Sequence, residues 1–137
     1  MKTLLAILQK AGGWRPSLYV KIDNPPYMAL VIEAMDESGP IGLPALSVCH
    51  YGNQNGDSMR DPEMCFELGF ARGAHLIPFS WRNDYVAVEQ VSRAIVNGHY
   101  VALPQLQEQH ERFARTWDYT LRLQGFLEAF TDKCILG

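Results

Sequence analysis

The sequence predicts an α+β domain: a mostly antiparallel sheet of five or six strands, a short N-terminal helix, and a long amphipathic C-terminal helix packed on one face. Three observations carry this reading. Apolar residues alternate at period two in a succession of short runs from Leu18 to Val101. Clusters rich in Gly, Pro, Asn and Asp separate the runs. From Leu106 to Leu121 the period lengthens to that of a helix. With 137 residues and 47% hydrophobic content, the chain has the size and apolar fraction of one domain spanning residues 1–137.

Each element has its own signal. Leu4, Leu5 and Leu8 recur at helical spacing, and Gly12-Gly13 stops a helix over residues 2–11. SLYVKI alternates Leu18, Val20 and Ile22 against Tyr19 and Lys21, the pattern of a half-buried strand, and Asp23-Asn24-Pro25-Pro26 turns the chain. YMALVIEAM is apolar on both faces apart from Glu33, which predicts a central strand and requires a partner for Glu33 if it is buried. After DESGPIGLP, the run ALSVCHY places Leu46, Val48 and His50 on one face. EMCFEL sets Met64, Phe66 and Leu68 against Glu63, Cys65 and Glu67. In HLIPFSW, Ile77, Phe79 and Trp81 are expected to share a face, and Pro78, which lacks a ladder donor, predicts an edge or a bulge.

Residues 84–103 admit two readings. Val88, Val91, Ser92 and Ile95 suit a helix capped by Asp84 and ended by Gly98. Asn97-Gly98 equally signals a type I′ hairpin between β-rich runs, and the strand reading of 86–96 is adopted. In the last segment Leu106, His110, Phe113, Trp117 and Leu121 form one helical stripe. Glu108, Glu111, Arg112, Arg115, Asp118 and Arg122 occupy the other side, with three Glu/Asp-to-Arg pairs at i,i+4. Beyond Gly125, Phe126 and Phe130 leave that stripe. Either the helix bends there and both enter the core, or they form a patch for a homodimer.

Composition excludes some functions. The formal charge of −3, with no basic run, makes nucleic acid an unfavoured partner and points towards a protein or small-molecule partner. Three cysteines without CxxC spacing argue against a disulfide framework and a zinc site, and Cys49 and Cys65 read as buried thiols. The apolar stretch Leu4–Leu8 is too short for a signal sequence, so a soluble cytoplasmic protein is expected, with no membrane contact.

The most function-like stretch is HYGNQNGDSMRDPE, residues 50–63, which gathers Asp57, Asp61, Glu63, His50 and Arg60 among turn formers. Asn53, Asn55 and Gly56 explain a reversal, and Arg60 beside two aspartates can serve the turn alone. As a binding surface the stretch offers His50, Tyr51, Asn55, Asp57, Arg60, Asp61 and Glu63, with Trp81 as a second apolar anchor. As an enzyme it would be a metal-dependent hydrolase holding a cation with His50, Asp57, Asp61 and Glu63, with nucleic acid as a candidate substrate. The spacing H-x6-D-x3-D-x-E matches no metal motif, and no GxGxxG or P-loop is present, so neither a metal nor a cofactor is assigned. His110 on the apolar helix face reads as a satisfied core residue.

The HY…QNGD…RDPE…F pattern is met by His50, Tyr51, Gln54, Asn55, Gly56, Asp57, Arg60, Asp61, Pro62, Glu63 and Phe66. With YMALVIEAM, SWRNDYVAVEQ and FARTWDYTLRLQGF, it resembles an uncharacterised domain family of bacterial plasmids and integrating conjugative elements, over residues 17–127. The resemblance implies an accessory protein of mobile DNA and carries over no activity, cofactor or catalytic residue. The expectation is a non-enzymatic binding module that uses the 50–63 loop.

Overall fold

Six strands follow one another in chain order across the main sheet of the computed structural model, which describes residues Met1–Gly137. After the helix α1 (Lys2–Lys10) come β1 (Tyr19–Asn24), β2 (Tyr27–Ala34), β3 (Ala45–Gln54), β4 (Asp57–Gly69), β5 (His75–Asn83) and β6 (Val88–Val91). Every neighbouring pair is antiparallel, so each strand bonds to its sequence neighbours and no crossover is needed. A separate hairpin, β7 (Arg93–Val96) with β8 (His99–Ala102), leads into α2 (Pro104–Leu123), the single-turn α3 (Phe126–Ala129) and a 3-10 turn over Asp132–Cys134.

The pleat separates two faces. Val20, Ile22, Leu30, Ile32, Leu46, Val48, Met64, Phe66 and Leu68 turn to one side and join Leu4, Ile7, Ala114, Trp117, Leu121 and Phe126 in a single core. All three helices lie on this side. Val31, Ala45, Cys49 and Cys65 are buried too, yet none belongs to that core, because they sit on the opposite, helix-free face. The α+β architecture predicted from the period changes is the observed one. No helix is long and apolar enough to cross a membrane.

Several local expectations are corrected. The 50–63 stretch is not a loop: β3 and β4 run through it, pairing Gln54 with Asp57 and leaving only Asn55 (φ 53°) and Gly56 (φ 87°) at the tip. An Asn-Gly tip lets the twisted strands continue to the reversal itself. Asn97 (φ 52°) and Gly98 (φ 78°) close the second hairpin in the same way, so 86–96 contains strands and the helix alternative is excluded. Pro78 lies at a bulge: Phe66 pairs with Pro78 and Cys65 with Ser80, which leaves Phe79 as an extra residue. That extra residue reverses the pleat, so Trp81 joins Met64 on the helix side and does not share a face with Ile77.

The C-terminal helix is rotated relative to its predicted stripe. Ala114 is fully buried while Phe113 remains 39% exposed. Asp118, assigned to the solvent side, is buried and accepts the backbone N–H groups of Thr3 (3.1 Å) and Leu4 (2.8 Å) at the start of α1. Of the three predicted i,i+4 pairs only Glu108–Arg112 forms, at 3.1 Å. Gly125, at φ 85°, ends α2 and turns the chain back, so Phe126 and Phe130 both enter the core. Of the two readings offered by the sequence, the bend that takes both phenylalanines into the core is the observed one, and neither residue forms a surface patch.

Candidate functional site

Alternation along β3 assigns His50 and Tyr51 to opposite faces, so the candidate stretch serves two environments. On the helix-free face, Tyr51 pairs across to Arg60, and Cys49 pairs to Glu63. One residue of β3, His50, thus lies opposite two of β4. The bulge absorbs Asp61 and Pro62 and brings Arg60 onto the same face as Glu63. Proline suits that position because the unpaired residue of a bulge needs no ladder donor.

Arg60 is joined there by residues from the end of β5. Asp84 accepts Arg60 Nε–H at 3.2 Å and Arg82 Nε–H at 2.9 Å, and also the backbone N–H of Arg60 at 2.9 Å. The Arg60 N–H bond comes first among the causes that hold the Asp84 carboxyl below its ordinary range, followed among the favourable ones by the Arg82 and Arg60 guanidinium groups. Both arginines spend Nε on Asp84. Their Nη atoms make no hydrogen bond within the protein and only long ionic contacts, Arg60 to Glu63 at 3.7 Å and Arg82 to Glu89 at 3.8 Å. Each arginine side chain is about one-third exposed: 34% for Arg60 and 35% for Arg82. Glu63 is held sideways by Ser47 Oγ–H at 2.7 Å. Burial first, then the charges of Glu63 and Asp36, raise the Glu33 carboxyl. Glu33 is only partly buried and needs no dedicated partner.

The remaining sequence candidates fall elsewhere. Asp57 sits at the hairpin tip paired with Gln54. Asn55 forms the turn, with Asn53 Oδ1 accepting the Gly56 N–H at 2.9 Å. Asp61 accepts Asn83 Nδ2–H at 2.6 Å. His50 faces the helices, its ring between Trp117 (5.5 Å) and Phe126 (5.4 Å). Trp81 packs against the core with its ring edge to Phe113 at 5.9 Å, on the face opposite Tyr51. The hydrolase arrangement is corrected accordingly: His50, Asp57, Asp61 and Glu63 do not converge, and no group of three or more potential ligand side chains forms. The physical reason is the pleat, which sends His50 and Glu63 through opposite faces.

Cysteine nucleophiles are also unsupported. Burial and the Glu63 charge push the Cys49 thiol up to about 12, and burial pushes Cys65 up to about 11, so both stay protonated near neutrality. A larger cavity of about 550 Å³ lies between α1 and the β4–β5 turn, bordered by Leu5, Trp14 and Phe70, and no residue of the 50–63 stretch reaches it.

Against this geometry, a family model described as a domain of unknown function (DUF6908) matches residues 2–127. The chain belongs to that family. The match runs from α1 to the first two residues of α3, and begins earlier than the 17–127 span that carried the resemblance in sequence. No curated protein matches the chain, and no solved structure does.

The sequence does not connect Arg82 and Asp84 to the 50–63 stretch, from which they are separated by about twenty residues. The RND run after an aromatic strand was the available signal. Only the pairing of β4 with β5 brings it to Arg60. His110 is as expected: Nδ1 meets Ser92 Oγ at 2.8 Å and Nε2 meets Gln90 Oε1 at 3.2 Å.

Proposed function

We propose that this DUF6908 protein is a non-enzymatic binding module, an accessory protein of bacterial plasmids and integrating conjugative elements acting in the cytoplasm. Its Arg60–Arg82 pair grips a negatively charged group on a partner protein or small ligand. The observation that carries the reading is the tethering of two guanidinium groups through Nε to one carboxylate, Asp84, with their Nη atoms left without hydrogen bonds on a helix-free face. Guanidinium N–H groups held in a fixed orientation match carboxylate or phosphate oxygens in a bidentate manner and lose little freedom on binding. Tyr51, beside Arg60, supplies an apolar wall. The mobile-element setting rests on the HY-QNGD-RDPE resemblance, and the cytoplasmic setting agrees with three free cysteines.

The test is calorimetric titration with short acidic peptides and with their Glu→Gln counterparts. Binding that needs the carboxylates, weakens with salt, and falls about tenfold or more in a folded Arg60→Ala variant is the expected outcome. Equal binding of the neutral peptides, or no binding of either set, overturns the anion-gripping reading. Gross unfolding of Arg60→Ala assigns the cluster to stability instead.

A further inference from the structure

His50 contributes nothing to the Arg60 cluster, yet its surroundings are those of a ligand group. Its Nδ1 lies 3.1 Å from the carbonyl oxygen of Met28 and 3.3 Å from that of Ala29. Carbonyl oxygens only accept, so Nδ1 carries the proton and the neutral ring presents Nε2 as a lone-pair acceptor. Nε2 has no hydrogen-bond partner in the protein and reaches solvent, although the residue as a whole is only 8% exposed. A ligand donor at this position takes the place of water.

The space for such a donor exists. A cleft of about 370 Å³ opens between the start of β2 and the last turns of α2, bordered by His50, Tyr27, Met28, Trp117, Thr120 and Gln124. Its walls are largely aromatic and apolar, and no acidic or basic side chain besides the imidazole borders it. That excludes a fixed charge as the recognised group. The volume lies at the lower end of the ~300–1,000 Å³ typical of small-molecule sites. The walls are also preformed, since the His50 ring is held between Trp117 and Phe126, and Phe126 is fully buried. Burial holds the imidazole below its ordinary value, which keeps Nε2 an acceptor near neutrality.

We propose that this cleft binds a small uncharged aromatic molecule whose N–H or O–H donates to His50 Nε2 while its ring lies against Trp117 and Tyr27. The site is on the opposite face from Arg60 and Arg82, and stands or falls independently of the anion-binding reading.

The experiment uses the whole protein, with histidine and tryptophan labelled with nitrogen-15, titrated with indole, phenol and toluene as probes. Indole and phenol are expected to shift the His50 Nε2 resonance and the Trp117 indole signal. Toluene, lacking a donor, should bind about fivefold more weakly, the value of one neutral hydrogen bond. Thr120→Phe fills the cleft and leaves residue 50 unchanged, and should abolish the shifts. Three results each overturn the proposal: absence of binding by indole and phenol, toluene binding equal to phenol, or His50 shifts that persist in Thr120→Phe. His50→Phe, if it folds, should erase the preference for phenol over toluene. A preference that survives this substitution also overturns the proposal.

Discussion

Glu67 and Arg93 show what a single residue type can conceal. In sequence Glu67 is one of the polar residues alternating with core residues, and Arg93 is an isolated cation. In the fold they form a 2.7 Å ion pair in which both side chains are almost fully buried, at 0% and 2% exposure. The pair is completed by backbone: Glu67 Oε2 accepts the N–H groups of Ile41 and Leu43, and Arg93 donates to the carbonyls of Pro78 and Ile77. Although Glu67 Oε1 makes no formal hydrogen bond, the 2.7 Å contact to Arg93 Nη1 satisfies it. Removing one partner of such a pair leaves an uncompensated buried charge, so Glu67→Ala is expected to cost ~3–5 kcal/mol in urea denaturation. Replacing both, as Glu67→Leu with Arg93→Met, should recover most of that loss. A double variant no more stable than Glu67→Ala would show that the backbone contacts to residues 41 and 43 matter more than the charges. No periodicity argument could have paired residues 26 positions apart. Their meeting depends on the hairpin β7–β8 reaching back over β5.

At the scale of elements, most strands were legible because alternation survives in them, and two of the three two-residue hairpins carry Asn-Gly tips, the third being Pro25-Pro26 between β1 and β2. Bulges were not legible, and they decide where side chains point. One extra residue in β4 brings Arg60 alongside Glu63, and one extra residue in β5 sends Trp81 to the helix side. The helix α2 was legible in extent but rotated in its buried face, because Asp118 is drawn inward by an obligation of another element. The first N–H groups of α1 have no intrahelical acceptor, and the Asp118 carboxylate supplies one across 115 residues of chain. Asp118→Ala is therefore expected to destabilise by ~1–3 kcal/mol through two orphaned N–H groups. Hydrogen exchange should accelerate at Thr3 and Leu4 before it does in the central strands. Unchanged protection at those amides would count against this tie.

For the whole molecule, protonation couples the core to pH. Burial holds the imidazoles of both His50 and His110 below the ordinary 6.5. As pH falls through 6.5 the unfolded chain takes up protons that the folded chain refuses, so this stability is complete above that value and declines below it. Glu33, raised by burial and by Glu63, works in the opposite direction at lower pH, so the measurement belongs in a Glu33→Gln background. Urea midpoints there should be lower at about pH 5.5 than at about pH 7.5, and a flat profile would contradict neutral, buried imidazoles. Sequence by itself determined the α+β class, the strand succession, the helical ends and the 50–63 stretch as the densest group of candidate residues. These follow from periodicity and turn chemistry, which act between neighbours in the chain. Tertiary structure alone decided that His50 and Glu63 face opposite ways, that Arg82 and Asp84 complete the Arg60 cluster, and that Phe126 and Phe130 are interior. Each of these depends on register, a bulge or a left-handed turn, where one residue's displacement reverses a face, and composition carries no record of that displacement.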